Sequence, residues 1–191
     1  DLYNQGHQRP CSDRVENLIF PLYRPSFLFY LVCTPCTPMF VGILELLFYP
    51  YLCNPVIEHE IHDGRKRIDI VFDNCAESGF FFRLCNTHGI PSRFIMVECK
   101  NYSRDVANPE IDQVGGRFSA NRGQIGIIAC RAVDDMPKLL ERCSDTFKDS
   151  RGLIIPMVDN DFYDLLNYKS EKNEQAIDNF LQHRFHAIAS K

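Results

Sequence analysis

The chain has 191 residues, of which 45% are hydrophobic and 24% are charged. This length predicts one domain with a full core, and this composition excludes a disordered chain. The formal net charge of −4 excludes a uniformly basic nucleic-acid binder, so any contact with nucleic acid requires a local basic patch.

The N-terminal part of the chain is apolar and irregular. Residues 1–36 are predicted to form an extension that packs on the core. The run 26–44 carries no charge, but Pro35 and Pro38 interrupt it, and a membrane span needs about 20 unbroken apolar residues. We therefore interpret this part as core-packing segments, and we predict a helix from Pro38 to Tyr49.

The rest of the chain predicts a β-hairpin followed by strands that alternate with helices. Asp63-Gly64 is a strong hairpin-turn signal. The predicted strands are 56–61, 67–72, 93–99, 124–130 and 152–156, and the predicted helices are 78–86, 108–120, 136–149, 159–168 and 172–186. This order is typical of an α/β fold, with a central mixed β-sheet flanked by helices. The core is predicted to span 37–168, with a C-terminal helical segment at 169–191.

Nine cysteines are spread over the chain. Their number is odd, and several lie in apolar runs, such as Cys85, Cys99 and Cys130. We interpret them as reduced and mostly buried, in a cytoplasmic protein without a cleavable signal peptide. Cys33 and Cys36 form a lone C-x-x-C motif, which is typical of redox or zinc sites but weak evidence when no second motif accompanies it.

Charged side chains interrupt two of the predicted strands. Asp69 lies within the apolar run 67–72, and Glu98 and Lys100 end the strand that contains them. Burying a charge is costly unless it is paired or binds a metal. Side chains alternate along a strand, so Glu98 and Lys100 lie on one face. If the two strands are neighbours, the carboxylates of Asp69 and Glu98 converge and can hold a hard divalent cation such as Mg²⁺.

A plainer interpretation of the same residues stays open. In it, Asp69 pairs with Arg67 or Lys66 at the end of the hairpin. Glu98 and Lys100 then form an exposed ion pair on an edge strand, and exposed pairs of this kind contribute little stability.

The stretch Arg-Ile-Asp69-Ile-Val, followed by Val-Glu98-Cys-Lys100 and by a helix that bears Gln113, resembles the PD-(D/E)xK nuclease superfamily. The resemblance covers the chain from about residue 40 to residue 156. It implies a restriction-endonuclease-like fold.

The resemblance also implies a role for each matching residue. Asp69 and Glu98 would bind the metal together with the backbone carbonyl of Cys99. Lys100 would position the attacking water. Glu45, on the helix before the hairpin, would reach the metal through water or fix Lys100, although it can equally be a solvated helix acid.

Further residues are predicted to support the site or to touch the substrate. Gln113 matches a polar helix residue that assists catalysis in the superfamily, and Arg117, four positions later, is predicted to share its helix face. Arg67, Arg117 and Arg122 are candidates for contact with the nucleic-acid backbone, and the alternative is a scatter of solvated arginines.

By resemblance, the protein is expected to be a metal-dependent endonuclease that hydrolyses phosphodiester bonds of DNA in restriction, phage defence or DNA repair. Its expected cofactor is Mg²⁺, for which Mn²⁺ would substitute. A homodimer or a complex with a partner protein is expected, without membrane contact. The alternatives are a non-catalytic nucleic-acid-binding or scaffolding domain of the same fold, and a nuclease that cuts RNA.

Overall fold

The structure, a computed structural model, describes residues 38–61, 66–100 and 106–191. The predicted extension 1–36 lies outside the described residues. The same holds for the C-x-x-C motif and for the hairpin turn at Asp63-Gly64.

The described residues form a five-stranded mixed sheet accompanied by six helices. The strands, in both chain order and sheet order, are β1 (Leu52–Ile61), β2 (Lys66–Asn74), β3 (Phe94–Lys100), β4 (Ile125–Cys130) and β5 (Leu153–Val158). The β1–β2 and β2–β3 pairs are antiparallel, and the β3–β4 and β4–β5 pairs are parallel. The helices are α1 (Pro38–Phe48), α2 (Gly79–Asn86), α3 (Asn108–Gly115), α4 (Met136–Lys148), α5 (Asp159–Ser170) and α6 (Glu174–Ala189). The predicted α/β class with a central mixed sheet is confirmed.

The parallel half of the sheet is buried on both faces. Every residue of β4 is buried, and α3, α4 and α5 contact β4 or β5 with core side chains such as Val114, Leu139 and Phe162. Parallel strands covered on both sides are read from sequence as continuous apolar runs, and β4 has no polar side chain. A charged residue in this region therefore needs a partner. Within the described part of the chain, no helix has the length and apolarity that crossing a membrane requires.

Helix α3 is shorter than predicted. The expected helix 108–120 ends at Gly115, and Gly116 is its C-terminal cap. Glycine inside a helix costs about 1 kcal/mol relative to alanine, so two in succession favour an end. The prediction that Gln113 and Arg117 share one helix face was therefore wrong, because Arg117 lies beyond the helix.

Strand β1 is longer than predicted. It begins at Leu52 rather than at residue 56, and its register on β2 shifts between Cys53 and Val56. Asn54 has a φ of 51° in this bulge, and Pro55 lies beside it. Proline inside a run argues against a strand except at an edge or a bulge, and β1 provides both.

The described residues include six cysteines. Cys99, Cys130 and Cys143 are buried, and burial raises the pKa of Cys130 and of Cys143 to about 12. The prediction that Cys85 is buried was wrong, since α2 packs inward through Leu84 and leaves the next side chain exposed.

Helix α6 is fastened to α2 by the carboxylate of Asp178. Asp178 Oδ1 accepts a hydrogen bond from the Phe80 N–H at 2.5 Å, and Asp178 Oδ2 accepts one from the Arg83 guanidinium at 2.7 Å. We expect Asp178→Ala to lower the free energy of unfolding by about 2 kcal/mol, because it removes a charged hydrogen bond and a cap on the first turn of α2. Urea unfolding measures this change. Asp164→Ala, at an exposed position of α5, should change the value by no more than about 0.5 kcal/mol, and equal effects of the two variants would contradict the assignment.

Candidate functional site

Asp69 and Glu98 lie side by side where β2 and β3 separate. The antiparallel pairing of these strands ends with the pair Ile70 and Val97. Asp69 and Glu98 are the next residues on the two strands and lie just outside this pairing. Beyond that point β3 continues along β4, with Glu98 opposite Ile128. The sheet therefore opens between its antiparallel and parallel halves at the position of the two carboxylates.

Each acid is bonded to the backbone of the neighbouring strand. The Cys99 N–H donates to Asp69 Oδ2 at 2.8 Å, and the Asp69 N–H donates to Glu98 Oε1 at 3.4 Å. These bonds satisfy backbone donors that the ladder no longer pairs. They also fix the direction of both carboxylates.

Lys100 stands beside Glu98, two residues further along β3. Its Nζ lies 3.7 Å from Glu98 Oε2 and donates to Gln113 Oε1 of α3 at 2.8 Å. The Glu98 side chain is 2% exposed and that of Lys100 is 13% exposed, so this is not the exposed pair of the plainer interpretation. The structure thus places Asp69, Glu98, Lys100 and Gln113 close together.

Arg117 is a further member of this cluster. Its Nη1 pairs with Glu98 Oε1, and its side chain is 9% exposed. Burial lowers the pKa of the Arg117 guanidinium, while the negative charge of Asp69 acts in the opposite direction. The sequence assigned Arg117 to nucleic-acid contact and did not reveal its pairing with Glu98, because the chain turns back toward β3 only where α3 ends.

A groove with a volume of 410 Å³ opens next to Asp69. Its lining includes three basic and two acidic residues, and comprises Lys66, Arg67, Asp69, Asp112, Gln113, Gly116 and Arg117. Lys66 Nζ donates to the Gly116 carbonyl at 3.1 Å and so joins β2 to the end of α3. The lining thus has one more basic than acidic side chain, and contact with a phosphate backbone would use such local positive charge. Asp112 was not singled out in the sequence, since an exposed acid on a helix is a common feature.

Arg67 and Arg122 occupy different positions relative to the site. Arg67 is exposed at the groove and pairs with Glu58 at 3.2 Å and with Glu60 at 3.9 Å. Arg122 donates to the Arg117 carbonyl at 3.1 Å and lines a separate cavity of 140 Å³. Its place is therefore behind the turn that carries Arg117, and its predicted contact with nucleic acid stays a prediction.

Glu45 lies half-buried in α1, which packs on β1 and α5. Among the described residues, no hydrogen bond or ion pair joins its side chain to Asp69, Glu98 or Lys100. Its predicted role at a metal stays a prediction.

The described side chains offer a cation two adjacent carboxylates. No group of three or more histidine, cysteine, aspartate or glutamate side chains in the described ranges could hold a metal ion. Mg²⁺ is commonly bound by one or two carboxylates together with water and substrate phosphate. The guanidinium held against Glu98 also shows that positive charge is favoured at this point. The donor set of Asp69 and Glu98 therefore fits a hard divalent cation, and the Cys99 carbonyl as a third ligand stays a prediction.

Comparison of the chain with protein-family models, with curated proteins and with solved structures gave no match. The site itself must therefore support any assignment of function. It offers two converging carboxylates, an amine and a guanidinium at the edge of a basic groove.

Proposed function

We propose that the protein is a metal-dependent endonuclease of restriction-endonuclease-like fold that hydrolyses phosphodiester bonds of DNA. The observation that carries this proposal is the convergence of Asp69, Glu98 and Lys100 at the opening between β2 and β3. The order of charged residues along the two strands, which resembles the PD-(D/E)xK superfamily, supports the same function. That resemblance also suggests a role in restriction, phage defence or DNA repair.

In the proposed hydrolysis, the cation and the side chains would have different roles. Mg²⁺ or Mn²⁺ bound by Asp69 and Glu98 would supply a Lewis acid for the phosphate. Lys100, held by Gln113 at 2.8 Å, is placed to orient the attacking water and to offset the phosphate charge. Lys66 and Arg67, in the groove, would contact the neighbouring phosphates, which position a duplex without reading its sequence.

Cleavage of both strands of a duplex in one binding event requires two such sites. A single described groove serves one strand at a time, so a homodimer related by a two-fold axis is the simplest assembly for double-strand cutting.

A non-catalytic nucleic-acid-binding domain of the same fold is the second candidate. The Arg117–Glu98 pair favours it, because a carboxylate that is already neutralised needs no metal to be stable in the interior. Such a domain would use the basic groove to hold the backbone and would not cut it. A nuclease acting on RNA would employ the same phosphate chemistry, and the ribose 2′-OH is what would distinguish its substrate.

Cleavage assays with metal removal test the proposal. Purified protein is incubated with supercoiled plasmid or with single-stranded RNA, in Mg²⁺, Mn²⁺ or EDTA. We expect the plasmid to be nicked or linearised with either metal, EDTA to abolish cutting, and excess Mg²⁺ to restore it, because Asp69 and Glu98 act on phosphate through a cation.

The double variant Asp69→Asn/Glu98→Gln, purified in the same way, controls for a contaminating nuclease. Cutting that persists in this variant or in EDTA would contradict the proposal. Cutting of RNA alone would reassign the substrate. Retarded migration of DNA without cutting under any condition would favour the binding domain instead.

A further inference from the structure

One oxygen of Glu98 is fully occupied by groups of the protein. Glu98 Oε1 accepts the Asp69 N–H at 3.4 Å and also contacts the Arg117 guanidinium. The other oxygen, Oε2, faces Lys100 at 3.7 Å. A cation that binds between Asp69 and Glu98 therefore meets a resident positive group at the carboxylate it needs.

The charges of this cluster balance in the present arrangement. Asp69 and Glu98 contribute two negative charges, and Lys100 and Arg117 contribute two positive charges. A divalent cation would leave this cluster with a positive excess at a carboxylate that is only 2% exposed. Uncompensated charge in such surroundings is costly, so binding of the cation favours departure of one positive group.

Of the two positive groups, Arg117 is the one whose side chain borders an open groove. Its backbone follows the Gly116 cap of α3, whose carbonyl is held by Lys66. Its own carbonyl is held by Arg122 at 3.1 Å. The backbone is therefore fixed on both sides, while the side chain borders the 410 Å³ groove. The groove is the open space beside this side chain that a change of rotamer would use to take the guanidinium away from Glu98.

We infer that Arg117 is the resident counter-cation of the site, and that it competes with a divalent cation for Glu98. The inference rests on the proposed function only in assigning the cation to Asp69 and Glu98. Arg117 is then a positioning residue, which holds Glu98 in place while no metal is bound and lowers the affinity of the site for metal. In the groove, its guanidinium is suited to bind a phosphate oxygen.

Calorimetric titration with Mn²⁺ in the absence of nucleic acid tests this inference. We expect Arg117→Gln to bind Mn²⁺ at least about tenfold more tightly than the wild type. A positive charge within about 4–6 Å of a carboxylate alters its affinity for a proton by about 10- to 1000-fold, and the same competition applies to a metal ion. Arg184→Gln is the matched control. Arg184 is 13% exposed and its guanidinium lies 2.7 Å from the Asp161 carboxylate, and this pair is outside the site. Its Mn²⁺ affinity should equal that of the wild type.

Loss of Arg117 also leaves Glu98 without its main partner, so folding of each variant is checked by thermal unfolding. If Arg117→Gln does not fold, Arg117→Lys decides, because the shorter ammonium side chain holds Glu98 less well and should also tighten Mn²⁺ binding. Wild-type affinity in the folded variant overturns the inference and leaves the proposed nuclease intact. Tighter binding by the variant, with no cutting by the wild type, supports the inference and rejects the nuclease. No Mn²⁺ binding by either protein rejects the inference, and the cleavage assay alone then decides on the nuclease.

Discussion

Replacing Asp69 with asparagine is expected to reduce the rate of DNA cleavage by about a thousandfold or more. Asparagine keeps the size of the side chain and an oxygen that can accept the Cys99 N–H, which lies 2.8 Å from the carboxylate. The change therefore removes the charge with little disturbance of the strand opening. A bound metal contributes several kcal/mol of charge stabilisation in the transition state, and each 1.36 kcal/mol is a factor of ten in rate. Initial rates of plasmid nicking at saturating Mg²⁺ measure the loss.

Asp73→Asn is the matched control for this experiment. Asp73 lies four residues further along the same strand and accepts a bond from Asn54 at 2.8 Å, outside the groove. It should cut DNA at the wild-type rate. Equal loss of activity in the two variants would attribute the effect to β2 as a whole, and normal cutting by Asp69→Asn would remove Asp69 from the site.

The strands that carry the site could be predicted from the sequence, because a short apolar run rich in β-branched and aromatic residues is a local property. The same pattern made Asp69 and Glu98 conspicuous, since each is a charge where a core strand has none. The sequence left open whether the two strands are neighbours, and the structure shows that they pair in antiparallel fashion.

The partners of Glu98 could not be predicted in the same way. Arg117 reaches Glu98 only because α3 ends at Gly115, and a helix continued to residue 120 would have carried that side chain elsewhere. Helix ends depend on small differences in propensity and on tertiary contacts, and so they are read from sequence less securely than strands. The bond from Cys99 N–H to Asp69 likewise depends on where the ladder between β2 and β3 stops.

Lys100→Met is expected to lower kcat for DNA cleavage by about 10²- to 10⁴-fold, the usual contribution of a positioned proton-transfer group. Methionine keeps most of the apolar stem, so β3 should pack as before. It lacks the ammonium group of Lys100, which donates to Gln113 and lies 3.7 Å from Glu98. KM for DNA should change little, because the role proposed for Lys100 is exerted mainly on the attacking water in the transition state. Mn²⁺ affinity should be equal to that of the wild type or higher, since one competing positive charge has gone. Steady-state kinetics and calorimetry on the same preparation measure both quantities.

Lys169→Met separates this chemical effect from the cost of removing any partly buried lysine. Lys169 is 17% exposed and pairs with Glu174 at 2.6 Å, so its burial resembles that of Lys100 while its place on α5 is remote from β3. Its variant should lose some stability and keep the wild-type kcat. A fall in kcat for Lys100→Met that is matched by a loss of Mn²⁺ binding would make Lys100 a support of the metal ligands rather than a catalytic residue. A fall in kcat with metal binding preserved would support the proposed role of the amine at the attacking water, in the position that its bond to Gln113 fixes.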